Sequence, residues 1–530
     1  MSRRTFLRRS SAAVLGLFGG TALAARSRTV TLTILHTNDL HGHLTPWQGW
    51  EGDLQGKTVG GLGRLAGAIA RERKAAGAGN VLLLDAGDLL GDTMLADLTE
   101  GKALVEALNF LKYDALTVGN HEPDFGTDVL KRRMAEAAFP TLACNLTDKA
   151  TGTLFTKPYV VKEVAGVKVG ILGLAYPKTA RTTAPKNVAA VEFHPPGPAV
   201  REYLPRLRAA GAEVVVALSH LGLGADQQLA REVAGIDVIV GGHSHNRMAA
   251  AKVVGTTLIV QAGAHGSDLG RFDLAVEAGK VTAHTRTLIP LTHDTVPTDP
   301  AAETLLARLL EPHRAALDEV VGQAAGWVVR AQTLAGQEAH KRDEESPADS
   351  LFADILRAAT KADVCFLPGV GYGVAIPPGP VTAARLRQLA PHEGKVVTLR
   401  LSGRQVLEVL EQAVENAHSS DPAVKVGGMV QVSGLRFEYD PARPKGERVR
   451  RVERTEGRWD PDAEYVVATN GMLAAGGHNY AALKVGTDRT EHGGQYEAIR
   501  DWFGKHSPVS TPPLGRTRNH DAKSSPEYAP

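Results

Sequence analysis

Five short apolar runs in this chain each end in side chains of the kind that hold metal ions, and that pattern constrains the fold more than any other feature. The runs cover residues 29–35, 81–84, 114–118, 213–218 and 237–240. Helical or glycine-rich material separates them, as expected of strands buried on both faces in a layered α/β domain. They hand over, in order, to Asp39 and His41, to Asp88, to Asn120, to His220, and to His243 with His245. In such domains the carboxyl ends of the strands form the edge where ligands bind.

The spacing supports a shared purpose. Asp39 and His41 are two residues apart, so in extended chain both point to the same side, and His243 and His245 repeat the arrangement. A carboxylate and an imidazole placed together form a pair of metal ligands. Asp88 lies beyond the Gly87 turn, nearer the open edge than Asp85. His36 and His43 read as a strand-end packing residue and a loop residue. One such strand end is an ordinary capped turn or a core histidine, but five with the same chemistry point to a site. Nitrogen and oxygen donors without thiolate suit Mn, Zn, Fe or Co. Seven ligands exceed the needs of one tetrahedral ion, and one carboxylate can bridge two. Two divalent ions are therefore expected.

The series Asp-x-His, Gly-Asp, Gly-Asn-His-Glu, His and Gly-His-x-His, in this order, resembles the calcineurin-like metallophosphoesterases. The run 33–42, Thr-Ile-Leu-His-Thr-Asn-Asp-Leu-His-Gly, is most similar to their secreted 5'-nucleotidase group. The resemblance covers about residues 30–260. It implies an αββα catalytic domain in which Asp39, His41, Asp88 and His245 hold one ion. Asp88, Asn120, His220 and His243 would hold the second, with Asp88 bridging. It also implies that His121 and Asp124 form a catalytic dyad beside the metals. The chemistry agrees: two cations clamp a phosphoryl oxygen for in-line displacement. His121 would steady developing charge or protonate the leaving oxygen, with Asp124 fixing its tautomer.

At 530 residues the chain exceeds a single core, and its 43% hydrophobic and 22% charged content is that of a soluble globular protein. Five segments are expected. Residues 1–24 resemble a twin-arginine signal, with Ser2-Arg3-Arg4-Thr5-Phe6-Leu7, an apolar run from Ala12 and an Ala22-Leu23-Ala24 cleavage site. That implies passage through the twin-arginine translocase to the periplasm or the cell exterior. Removing it takes four arginines and no acids, changing the formal charge from +2 to −2. With no basic patch interleaved with aromatics, duplex nucleic acid is not the expected partner. Cys144 and Cys365 lie far apart and read as two unlinked, buried thiols.

The remaining segments are a catalytic domain over 28–298, a helical connector over 299–323, an α+β domain over 324–505 and a polar, disordered tail over 506–530. Residues 348–355, 396–403 and 430–440 resemble the substrate domain of the 5'-nucleotidase group. So does the stretch from Val466 to Tyr480, which implies contact with substrate at Gly476 and Gly477 and base stacking on Tyr480. One departure stands out. Where that group carries Asn-Gly-Gly-Gly-Ile-Arg, this chain reads Pro368-Gly369-Val370-Gly371-Tyr372-Gly373, and its Pro-Phe-Gly is replaced by Pro391-His392-Glu393-Gly394. Glycine does not replace a bidentate cation, so Arg400 and Arg404 are the candidate substitutes. The altered loop is similar to that of the thiosulfohydrolases of sulfur oxidation, although their arginine is absent at Gly371. The expected function is release of phosphate from nucleotides or related small phosphate esters. The alternatives are a thiosulfohydrolase acting on a carrier-protein-bound sulfonate and a non-catalytic metal- or ligand-binding relative.

Overall fold

The computed structural model describes residues 29–50, 52–330, 343–369, 371, 373–392, 394–420, 424 and 427–520. The expected signal peptide lies outside them. Among the described residues, no helix is long and apolar enough to cross a membrane.

The first domain is two six-stranded sheets packed face to face. In one, the strand Val30–Thr37 runs parallel to Val81–Asp85, which continues to Ala115–Thr117 and Thr141–Leu142. On its other side Val30–Thr37 pairs antiparallel with Asp268–Glu277, which is followed by Lys280–Pro290. The second sheet places Val214–Ser219 between the parallel strands Val167–Leu174 and Val238–Gly241. Its outer members are Thr257–Val260, Lys252–Val254 and Tyr159–Val164.

The pleat explains why these runs are apolar throughout. Ile34, Leu82 and Leu84 point inward against Ile171, Val214, Val216 and Val240 of the facing sheet. Their neighbours Leu35 and Leu83 point outward to the helices Leu62–Ala76, Lys102–Leu111 and Pro300–Leu310. The helices Pro196–Ala209 and Leu223–Glu232 cover the second sheet in the same way. Both faces of each central strand are thus buried, giving the expected αββα layering. The helical material between the second and third runs forms two helices, Met94–Thr99 and Lys102–Leu111, broken at Gly101, which takes φ 77°.

Asp299 caps the connector by accepting the Ala302 amide at 2.9 Å, and the helices Pro300–Leu310 and Arg314–Leu317 follow. The connector ends sooner than expected, because Val320–Ala324 already pairs with Gly379–Thr382 of the second domain. That domain is built on a five-stranded sheet in the order Gln431–Ser433, Val364–Leu367, Glu464–Asn470, Lys395–Ser402 and Thr487–Gly494. The helices Pro347–Thr360 and Gln495–His506 pack on one face and Gly403–His418 on the other.

The expected disordered tail from 506 is corrected as far as residue 520. Val509 is buried, Arg516 makes two charge-assisted bonds to Asp354 at 2.7 and 2.9 Å, and Thr517–Asn519 pairs parallel with Leu435–Tyr439. Backbone pairing and a bidentate ion pair hold this stretch despite its polar, proline-containing composition. Cys144 and Cys365 are both free and buried, as expected.

The two domains meet along a seam. Arg387 pairs with Asp97 at 2.8 Å, Gln388 donates to the Thr45 hydroxyl at 3.3 Å, and Met94 packs against the second domain's core.

Candidate functional site

Val30–Thr37, Val81–Asp85 and Ala115–Thr117 end at one edge of the first sheet, and Val214–Ser219 and Val238–Gly241 end beside them in the second. The loops beyond these ends bring together Asp39, His41, Asp88, His220, His243 and His245. Three overlapping groups have ligand atoms within 4.8 Å of one another: Asp39, His41 and His245; Asp88, His220 and His243; and His41, Asp88 and His121.

Asp88 is the hinge of the cluster. Its Oδ1 accepts the His121 amide at 2.8 Å, while Oδ2 lies 3.0 Å from His220 Nε2 and 3.8 Å from His41 Nε2. On the other side, Asp39 Oδ1 lies 3.3 Å from His245 Nε2, and both Asp39 oxygens accept the His243 amide at 3.0 Å. The imidazoles are aimed through their remaining nitrogens. His220 Nδ1 bonds the Ala86 carbonyl at 2.6 Å, and His41 Nδ1 faces Asp92 at 2.6 Å, which turns both Nε2 atoms toward the cluster. The ring of His243 lies against Tyr176, with centroids 4.0 Å apart.

The backbone here is strained. Asp39, His41, Asp88, Asp92, His243 and His245 all have left-handed φ between 44° and 71°. That conformation costs a residue with a side chain about 1–2 kcal/mol, and such strain persists where the surroundings enforce it, typically at functional sites.

His121 and Asp124, the residues expected to form a dyad, meet directly. His121 Nδ1 and Asp124 Oδ2 are 2.6 Å apart, and Asp124 is held in turn by the Thr183 hydroxyl at 2.9 Å and through its carbonyl by Asn187. Burial alone would strip the proton from His121, but Asp92, then Asp124 and Asp88, outweigh it and raise its pKa well above the ordinary value. For His220 burial is likewise outweighed, by Asp88 and Asp39, and the pKa rises to about 10. Burial should raise the Asp88 carboxyl, yet His220, His121 and His41 draw it well below the usual carboxylate range. A divalent cation competes for these same lone pairs.

The donor set fits metal ions. Asn120 Oδ1 is buried with no hydrogen-bond partner among the described residues, an orphan that a cation would satisfy. The remaining donors are carboxylates and imidazoles, with both free cysteines elsewhere.

Three residues beside the cluster had no sequence-level role. Glu122 accepts the amides of Asp88, Leu89 and Gly119, binding two strand-end loops together. Asp92 faces His41 and His121. From the second domain, His392 places its ring 6.3 Å from that of His121. Asp92 follows Asp88 after Leu89-Leu90-Gly91, and no local pattern marks it. Glu122 sits inside the stretch already singled out.

The expected substrate contacts fare differently. Tyr480 is 1% exposed and packed in the second domain's core, so neither ring face is open for base stacking. Gly476 and Gly477 lie in the turn before it, against Lys484 and Met472. Arg400 pairs with Asp488 at 2.9 Å, and Arg404, 70% exposed, pairs with Asp462 at 2.7 Å. Neither arginine contacts the metal cluster, because both face carboxylates of their own domain. Val370 and Tyr372 of the altered loop lie outside the described residues.

Residues 32–247 match the family model for calcineurin-like phosphoesterase, and residues 320–485 match that for the 5'-nucleotidase C-terminal domain. The chain is 27% identical to Protein UshA of Yersinia enterocolitica, across 91% of this chain and 92% of that one. It superposes on the crystal structure of a 5'-nucleotidase precursor from Thermus thermophilus with a TM-score of 0.81 and 30% identity, covering 92% of this chain and 99% of the other. The sulfate thiohydrolase SoxB of Thermus thermophilus shares the fold, with a TM-score of 0.82 and 24% identity over 92% and 97% of the two chains. With both domains matched and their order kept, the chain belongs to the 5'-nucleotidase group of the calcineurin-like phosphoesterases.

Proposed function

We propose that this chain is an exported hydrolase that releases phosphate from nucleotides with two divalent cations. Asp39, His41, Asp88 and His245 would hold one cation, and Asp88, Asn120, His220 and His243 the other. The observation that carries this reading is the position of Asp88, between His220 and His41 and bonded to the amide of the dyad histidine. When bound, such cations neutralise charge on a transferring phosphoryl group and activate water for in-line attack.

The protein's own groups supply the remainder. With Nδ1 engaged by Asp124, His121 has Nε2 to give a proton to the leaving ester oxygen, which departs as an alcohol. Asp124 keeps that tautomer in place, and Thr183 and Asn187 keep Asp124 in place. The second domain closes over the dyad through His392, limiting the access of bulk water. The twin-arginine pattern at Arg3-Arg4 supports delivery to the periplasm or the cell exterior.

The test is phosphate release by the Mn-loaded mature chain from AMP, ATP, UDP-glucose, a 2',3'-cyclic nucleotide and bis(p-nitrophenyl) phosphate. Turnover of the nucleotides bears the reading out. Turnover of the activated diester alone, with a full metal complement, overturns the nucleotide assignment. A sulfonate held on a carrier protein becomes the next substrate to examine in that event.

A further inference from the structure

We infer that Asp92 is a positioning residue that ties the candidate metal ligand His41 to the dyad histidine His121. The inference rests on the two-metal reading above and extends it to a residue outside the ligand set. Asp92 is 5% exposed, with Oδ2 at 2.6 Å from His41 Nδ1 and Oδ1 at 3.9 Å from His121 Nδ1. One carboxylate thus spans the two imidazoles, an oxygen toward each.

Its position is costly, which argues against an incidental role. Asp92 sits at φ 62°, directly after Gly91 at φ 90°. Glycine would occupy that conformation without strain, and burying a carboxylate costs free energy unless partners compensate. A helix-capping role belongs to its neighbour: Thr93 accepts the Ala96 amide at the start of Met94–Thr99. Among the described residues no backbone amide donates to the Asp92 carboxylate. Its contacts at the site are imidazoles, His41 and His121, with His392 of the second domain also acting on it electrostatically.

The consequence is mechanical. A proton on His41 Nδ1 held by Asp92 leaves Nε2 as the donor facing Asp39, Asp88 and His245. On its other side the same carboxylate flanks His121, whose Nδ1 is already held by Asp124. The ring that binds metal and the ring that handles the leaving group then share one anchor, so loss of that anchor disturbs both.

The test uses Asp92→Gly and Asp92→Asn in the mature chain, with Mn binding to the metal-stripped protein followed by calorimetry and kcat and KM measured separately. Asp92→Gly relieves the backbone, so its thermal unfolding in chelator should match or exceed that of the wild type, showing that the variant folds. It should nonetheless bind Mn about 10–100-fold more weakly, the usual effect of removing a carboxylate behind a ligating histidine. Its kcat should fall with KM little changed. In Asp92→Asn the side-chain oxygen still accepts from His41, and Mn affinity should largely recover. Wild-type Mn affinity and kcat in Asp92→Gly would overturn the inference and leave Asp92 a turn residue. If the wild type binds two Mn yet releases no phosphate, the nucleotide reading fails while Mn affinity still decides the role of Asp92.

Discussion

His220 Nε2 lies 3.0 Å from Asp88 Oδ2, although the two residues are held by strands of different sheets. The contact exists because the strand ends of both layers open onto the same edge. A carboxylate placed there answers to histidines from either side. Asp88→Ala should therefore remove ligands from both cation positions at once. Metal analysis of the purified variant should find less than about one equivalent per chain against two in the wild type. A full complement in Asp88→Ala would refute the bridging assignment.

His121 makes the opposite case. Its backbone amide bonds Asp88 and its ring is held by Asp124, and under the ligand sets proposed above the ring stands beside the cations without holding them. His121→Ala should keep both metal equivalents and lose about 10²–10⁴-fold in kcat, the usual contribution of general acid–base catalysis. Loss of metal in this variant would make the residue a ligand instead.

How much of this was legible in the sequence follows from where each signal resides. Asp39, Asp88, His220 and His245 could be read because each closely follows an apolar run, and burial of the run fixes the edge from which its loop starts; the extended spacing did not foresee the left-handed backbone that aims Asp39, Asp88 and His245. Asp92 and Glu122 gain their roles through space, from partners across the site or on a different strand-end loop. No local pattern marks them. Tyr480 misleads for a similar reason: a glycine-rich turn precedes it, yet the following turn folds its ring into the second domain's core. Sequence offers Arg400 and Arg404 as substitutes for the missing loop cation, whereas in space Asp488 and Asp462 engage them.

A pH dependence of stability follows from Asp85, whose carboxyl is buried in the first sheet beneath the site. Burial raises its pKa to about 7, even though the Thr37 hydroxyl and the Gly87 amide favour the charged form. The folded pKa thus lies above the unfolded value of about 3.9. Its stabilising contribution is complete below that unfolded value and is lost as pH rises toward 7. Asp85→Asn should flatten this fall. Its melting temperature in chelator should gain on that of the wild type between about pH 4 and 7, and equal slopes for the two proteins would count against the assignment.

A buried ion pair steadies the second domain close to the seam. Arg330 Nη2 lies 2.8 Å from Asp349 Oδ1, both side chains are 2% exposed, and the guanidinium stands over the Phe352 ring. Removing the carboxylate takes the Asp349 charge away from a buried cation, and breaking such a pair costs about 3–5 kcal/mol. Asp349→Ala should lower the unfolding midpoint accordingly while leaving metal binding by the first domain unchanged. A shift within about 0.5 kcal/mol, the range of an ordinary surface change, would show that other groups carry the charge.

His392 connects the second domain to the chemistry. Its ring stands 6.3 Å from that of His121, and it arrives on the loop after Ala383–Leu389, the helix whose Arg387 pairs with Asp97 across the seam. Burial lowers its pKa to about 3; Asp92 opposes that shift, while His121, Arg330 and Arg387 add to it. At neutral pH the ring is uncharged, so it brings no competing acid to His121 and acts as a cover. His392→Ala should open the dyad to water without touching a metal ligand. The expected result is two bound metals, an unchanged unfolding midpoint, and kcat/KM for nucleotides reduced about tenfold or more. The loss should be smaller for bis(p-nitrophenyl) phosphate, whose activated leaving group needs less help from a shielded acid. Equal losses on both substrates would mean that His392 acts by holding the domains together, and an unchanged kcat/KM would remove it from the site.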